Sequence, residues 1–340
     1  MIVEKLFPTT VIGSYSVPEW LARAKTDYHQ QRIGKSYLNE MCEAAIKAAI
    51  KDQERGGIDI LSDGELRRDN DVDYFLERMP GVEIPRLAKT YYYDYYDAIV
   101  RKELPSRDEA AHLGLAGDFL FAREQTDLPI KFSFTGPFSL SKRLRREGNL
   151  SEEDVILALA RILNREAHAL AGAGATYLQI DEPFLAGYPE QVALAVDAIN
   201  EVVEGVDVMW AAHICYGNRH ARPSWEGHYD FLFPAILEAR IDQLVLEFAR
   251  KGYDDLQLFS TYAPRFGLGL GVIDVKTREV ESPELVASRI ERALRVVPPE
   301  KIAVNPDCGL RHVPQSIALA KLRAMSAGAE LARHRVGAVL

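Results

Sequence analysis

His213-Ile214-Cys215 lies in a β-rich run, Val208–Cys215. Side chains on a strand alternate faces with a period of two, so His213 and Cys215 share one face and Ile214 takes the other. An imidazole and a thiol a few ångströms apart are half of a tetrahedral zinc site. Alone, such a pair is more often two core residues, because free cysteine packs as a small hydrophobe. Two further residues shift that reading. Cys308 ends another β-rich run, in Asn305-Pro306-Asp307-Cys308-Gly309, and Glu247 ends the apolar run Leu244-Val245-Leu246-Glu247-Phe248. A carboxylate in such a run needs a partner, since burying it unpaired is costly. The four residues form a His-Cys-Cys-Glu set able to hold Zn2+; the competing reading is two inert cysteines and a structural glutamate. Ligands drawn from separate strands point to a catalytic rather than a structural metal. Two thiolates and a carboxylate make zinc electron-rich and a poor Lewis acid. Such a metal suits binding a substrate thiol and lowering its pKa while the sulfur stays nucleophilic. The implied chemistry is alkylation at sulfur. The remaining cysteine, Cys42, shares a helical face with Leu38, Ala45 and Ala49 and reads as core packing.

Other polar residues fall where they could serve the same reaction. Ile12-Gly13-Ser14 ends the first β-rich run, with Gly13 permitting close approach to the backbone. Gly64-Glu65 follows the second, and Asp181-Glu182-Pro183 the fourth. Asp181 and Glu182 point to opposite faces, and Asp181 is the one expected to face the site. Such acids could move protons or clamp a ligand ammonium group; the alternative for each is a solvated rim charge.

The elements that must position these residues are short strands alternating with helices. The strand candidates are Thr9–Ser14, Ile58–Asp63, Ile130–Thr135, Thr176–Asp181, Val208–Cys215, Gln243–Phe248, Arg265–Ile273 and Lys301–Pro306. Between them, Tyr37–Arg55 reads as a helix stopped by Gly56-Gly57. Ser151-Glu-Glu-Asp154 is a capping box, and Ser282-Pro283-Glu284 places a cap before a proline at the first helical position. Pro314–Leu331 is a final helix. Alternation alone fits either a barrel or an open doubly wound sheet. Polar residues close nearly every strand (Ser14, Glu65, Thr135, Asp181, Cys215, Glu247, Asp274, Cys308), whereas an open sheet gathers its ligands at one switch point. The expected fold is therefore α/β, a (β/α)8 TIM barrel forming a single domain over residues 1–340. A barrel needs only about 250 residues, which leaves insertions after strands 1 and 2. These are Ser16–Lys35, read as a polar loop, and the tyrosine-rich Glu77–Leu104, which carries Tyr91-Tyr92-Tyr93-Asp94-Tyr95-Tyr96. The tyrosines are expected to pack on the barrel rim or to offer an aromatic surface to a flat ligand.

Bulk properties narrow the class further. The formal charge of −9 argues against nucleic-acid and anionic-membrane partners. Met1 to Pro8 has no long apolar stretch, and later apolar runs are short, so neither a secretory signal nor a membrane span is expected. Three cysteines are too few for a disulfide scaffold and fit a reducing, cytoplasmic setting.

Taken together, the motifs resemble the C-terminal catalytic domain of cobalamin-independent methionine synthase. The similarity runs through Thr9-Thr10-Val11-Ile12-Gly13-Ser14, Gly64-Glu65-Leu66-Arg67-Arg68-Asp69, Phe134-Thr135-Gly136-Pro137, Gln179-Ile180-Asp181-Glu182-Pro183, His213-Ile214-Cys215-Tyr216 and Val304-Asn305-Pro306-Asp307-Cys308-Gly309-Leu310. The resemblance implies a (β/α)8 barrel, zinc on His213, Cys215, Glu247 and Cys308, and homocysteine contacts at Ile12, Gly13, Ser14, Glu65 and Asp181. It implies methyl transfer to homocysteine or a close thiol. Three departures stand out. The family's N-terminal barrel is not in this sequence. Its folate-stacking tryptophan has no counterpart in Ser139-Leu140-Ser141-Lys142-Arg143. Its proton-donating histidine maps to Lys276, a candidate catalytic residue. The expected donor is accordingly methyltetrahydrofolate or a methylated corrinoid, the latter with a corrinoid protein as partner. Alkyl transfer to another thiol, as in epoxide-opening coenzyme M transferases, and a non-enzymatic zinc-stabilised barrel are the alternatives.

Overall fold

A computed structural model describes residues 2–86, 88–102, 104 and 112–337. Six parallel strands run in chain order: Phe132–Thr135, Tyr177–Asp181, Met209–Ile214, Gln243–Leu246, Gly267–Ile273 and Ile302–Pro306. Parallel bridges close the ring, Thr9 to Val304, Thr10 to Ile60 and Leu61 to Ile130. Backbone hydrogen bonds secure the closure, Thr10 N–H to the Val304 carbonyl at 2.9 Å and Lys131 N–H to the Leu61 carbonyl at 2.8 Å. The fold is the eight-stranded α/β barrel expected from the alternation together with the polar strand ends.

The first two strands are much shorter than the runs Thr9–Ser14 and Ile58–Asp63, for a local reason. Beyond Thr10 the backbone turns its hydrogen bonds to side chains: the Ile12 carbonyl accepts from Gln179 and the Gly13 carbonyl from Ser62. Ser62 in turn exchanges both backbone bonds with the Gln53 amide, which reaches in from the adjoining helix. The polar groups are satisfied without a ladder, and the chain is free to bend into the mouth.

The capped helices begin and end where the sequence signals them, while the final helix runs six residues beyond the expected Leu331. Lys35–Arg55 stops before Gly57, whose φ of +75° suits glycine. Ser151 caps Glu152–Gly172 by accepting from the Asp154 N–H, and Ser282 caps Pro283–Ala293 by accepting from the Leu285 N–H. The last helix is Gln315–Gly337. After the fifth strand the chain makes only the 3-10 turns Tyr229–Leu232 and Ala235–Glu238. Apolar helix faces bury against the outside of the sheet. A second apolar layer of Ile12, Ile60, Tyr177, Ala211 and Val245 fills the barrel interior.

Both insertions carry structure. The segment read as a loop, 16–35, contains the helix Glu19–His29, whose Leu21, Ala24 and Lys25 are buried. Within 77–104, Val82–Glu83 and Ala98–Val100 join Leu144–Arg146 in a three-stranded sheet; residues 87 and 103 lie outside the described ones. No helix among the described residues is long and apolar enough to cross a membrane.

Candidate active site at the barrel mouth

His213 sits one residue before the end of the fifth strand, and Cys215 one residue past it. The His213 Nδ1–H donates to the Val245 carbonyl at 3.1 Å, which leaves the buried Nε2 with a free lone pair and no partner. Cys308 arrives from the eighth strand, with its Sγ 3.7 Å from that of Cys215. That spacing is too long for a disulfide. It matches two sulfurs each about 2.3 Å from one tetrahedral zinc, which lie roughly 3.8 Å apart. The ligand atoms of His213, Cys215 and Cys308 all fall within 4.8 Å of one another. The Cys215 hydrogen bond holds the Cys308 thiol well below its ordinary pKa against the opposing effect of burial, while Cys215 is pushed up by the same bond and by burial. The donor set fits zinc.

Glu247 does not join this group. Its Oε2 lies 2.8 Å from the Lys276 Nζ, and its Oε1 is buried with no hydrogen-bond partner. The backbone around it is tightly held. The Tyr229 hydroxyl donates to the Ile214 carbonyl and accepts the Glu247 N–H, joining the fifth and sixth strand ends. The Asp307 carboxylate accepts the N–H groups of Phe248, Ala249 and Arg250. Asp274, by contrast, is absent from the cavity lining.

The cavity above these sulfurs, about 260 Å3, is lined also by Ile12, Ser14, Glu65 and Asp181. Glu65 has a left-handed backbone, φ +55°, next to Gly64 at +69°. Asp63 accepts the Glu65 N–H at 2.9 Å, and Arg311 donates to the Glu65 carbonyl. The carboxylate accepts from Ser133 at 2.8 Å and pairs with Arg68 at 3.0 Å. Strain of this kind persists only where surrounding contacts enforce it. Gly13 is required here: a Cβ on it would lie 2.3 Å from Glu65 Oε1 and 2.4 Å from Ser133 Oγ.

Asp181 accepts from the Gln179 amide at 2.6 Å, and Gln179 accepts from Lys131, buried inside the barrel, also at 2.6 Å. Burial pushes the Asp181 carboxyl up, and the Glu65 charge adds to that push. Two buried carboxyls facing one cavity favour a cationic ligand group. Glu182 points away, accepting the Phe138 and Ser139 N–H groups at the start of the short helix Pro137–Ser141.

The outer wall combines tyrosines of segment 91–96 with Arg143, Arg219 and Trp225, which the sequence did not single out for the site. Tyr95, from the tyrosine-rich insertion, donates to Asp71. Its ring lies 3.9 Å from the Arg143 guanidinium and 4.6 Å from that of Arg219. Opposite, Trp225 packs edge-on against Phe184, ring centroids 5.7 Å apart. Tyr93 also lines the cavity, Tyr92 and Tyr96 are buried, and Tyr91 is exposed. The only sequence signal for this wall was the density of tyrosines. Trp225 and the arginines come from loops whose approach depends on the closed fold.

Comparison with known proteins identifies the family. A family model described as the catalytic domain of cobalamin-independent synthase matches residues 7–331. A methionine synthase of Saccharolobus solfataricus is 34% identical over 333 residues, covering 97% of this chain and 96% of that protein. One from Sulfurisphaera tokodaii is 33% identical over 332 residues, covering 97% and 94%. Among solved structures, a B12-independent methionine synthase from Shewanella sp. W3-18-1 in complex with selenomethionine superposes with a TM-score of 0.84 at 28% identity. It covers 98% of this chain and 100% of that one. With a match spanning nearly the whole barrel, this chain belongs to the cobalamin-independent methionine synthase family and is a methyltransferase.

Proposed function

We propose that this protein is a zinc-dependent S-methyltransferase that converts homocysteine to methionine. The observation that carries the reading is the Cys215–Cys308 sulfur pair, 3.7 Å apart beside the unpartnered His213 Nε2, at the base of a cavity whose wall holds Glu65 and Asp181. His213, Cys215 and Cys308 would hold the zinc, with Glu247 as a fourth, exchangeable ligand. Zinc held there lowers the pKa of a substrate thiol while its electron-rich donor set keeps the sulfur nucleophilic. Glu65 and Asp181 bind the substrate amino group, with Ile12, Gly13 and Ser14 forming the adjoining wall. The thiol proton passes to solvent through the open barrel mouth as the substrate docks. The C–S bond then forms in line as the bond from the methyl carbon to its donor breaks, and the donor keeps the electron pair of the bond it loses. A thiol without an amino group would forgo the pairing of an ammonium with these carboxyls, which favours homocysteine over simpler thiols.

The donor enters past Tyr95 and Trp225. Trp225 supplies an aromatic face from the loop after the fifth strand, while the loop after the third carries no tryptophan. Methyltetrahydrofolate and a methylated corrinoid delivered by a corrinoid protein both remain candidates. The test combines metal analysis with a donor assay. The purified protein should carry about one zinc per chain, and Cys308→Ser should lose it. Methionine formation from homocysteine is compared with methyltetrahydrofolate, its polyglutamate and methylcobalamin. A protein without zinc, or unchanged zinc in Cys308→Ser, sinks the reading.

A further inference from the structure

Glu247 and Lys276 form a buried pair that the sulfur chemistry alone does not call for. Their side chains are 0% and 5% exposed, with 2.8 Å between charged atoms. Arg250 lies 3.6 Å from the other carboxylate oxygen. Both backbones are pinned: Glu247 by Tyr229, and Lys276 by donating its N–H to Asp274 at 2.8 Å. Glu247 can therefore move only by rotating its side chain, and in this structure the rotation favours the ammonium. His213, Cys215 and Cys308 are gathered without it.

We propose that Lys276 is a positioning residue that weakens the hold of Glu247 on the metal and so keeps that coordination position readily exchangeable for the substrate thiol. Glu247 lies outside the group formed by His213, Cys215 and Cys308, so its side chain must rotate to ligate, and that rotation disturbs the buried, charge-assisted pair with Lys276. Its hold on the metal is weakened by that cost, and an incoming thiolate displaces it more easily. Lys276 thus acts through Glu247, as outer-shell groups set the affinity of the ligands they touch. The inference rests on the zinc reading above and goes further in saying what sets the exchange.

The test is a cycle of variants read by zinc affinity, using competition with a chromophoric chelator. Cobalt-substituted protein, titrated with homocysteine, adds a readout of thiolate-to-metal absorption. Lys276→Met should bind zinc about tenfold or more tightly and need correspondingly more homocysteine for the spectral change. Glu247→Gln should stay near wild-type zinc affinity, and the double variant should match Glu247→Gln. Lys276→Arg should restore wild-type behaviour in both measurements. Lys276→Gln, which keeps a donor without the charge, replaces Lys276→Met if that variant fails to fold. The inference is overturned if Lys276→Met and Lys276→Gln bind zinc no more tightly than wild type. It is equally overturned if Glu247→Gln alone loses tenfold or more, since Glu247 would then ligate strongly despite Lys276. A wild-type protein that binds no zinc through His213, Cys215 and Cys308 ends the zinc reading itself, a distinct outcome.

Discussion

Glu65 concentrates the substrate-binding argument in one side chain. Its left-handed backbone is enforced by Asp63 and Arg311, and its carboxylate is aimed by Ser133 and Arg68. Glu65→Gln keeps the shape and removes the charge proposed to meet the substrate ammonium. The expected result is a roughly 10–100-fold rise in the KM for homocysteine with zinc content unchanged; an unaltered KM would remove Glu65 from the amino-group site. Asp63, behind it, offers a pH prediction. Burial pushes its carboxyl up to about 6, although Arg68 and the Glu65 N–H pull the other way. Between about pH 4 and 6 the folded protein then holds this proton more tightly than the unfolded chain, so stability is lost as pH rises through that window. Asp63→Asn removes the titration and keeps the acceptor. Its stability relative to wild type should climb by up to ~3 kcal/mol across that window, as read from denaturant midpoints. A difference that stays flat with pH would contradict the assignment.

At the scale of elements, the site depends on two strands that stop early. Ile12 and Gly13 leave the ladder to accept from Gln179 and Ser62, and this bend brings the first strand's end against Glu65. Gly13→Ala would place a methyl group 2.3 Å from Glu65 Oε1, so the carboxylate must move. We expect the KM for homocysteine to rise at least about tenfold through displaced geometry, with zinc bound as before. Loss of zinc together with homocysteine binding would instead mean that the whole mouth had shifted. The helix caps at Ser151 and Ser282 were legible because capping is local chemistry. The shortness of the first two strands was not, because it depends on the Gln53 and Gln179 amides arriving from elsewhere. The helix Glu19–His29 was hidden in the same way: its burial comes from contacts that the polar segment does not advertise.

At the scale of the molecule, the proposed metal ligands sit at strand ends above a filled barrel. The apolar core runs between sheet and helices and again through the barrel interior. Removing zinc withdraws its binding contribution and leaves these layers intact. Protein treated with a chelator should therefore keep its far-UV circular dichroism and a cooperative melt, with a lower midpoint that zinc restores. Collapse of the secondary structure on chelation would mean that the metal holds the barrel together.

The sequence by itself determined the alternation of strands and helices, the shared face of His213 and Cys215, and the arrival of Cys308 at the same end of the sheet. These follow from periodicity and from the rule that parallel strands present their C-terminal ends together. Tertiary structure alone decided which partner Glu247 takes. A carboxylate at a strand end reads the same whether it faces a metal or an ammonium; Lys276, on the loop after the next strand, turns it to the ammonium. The outer wall was likewise settled only in three dimensions. Tyr95, Arg143, Arg219 and Trp225 come from separate loops, and no spacing along the chain encodes how loops meet once a barrel has closed.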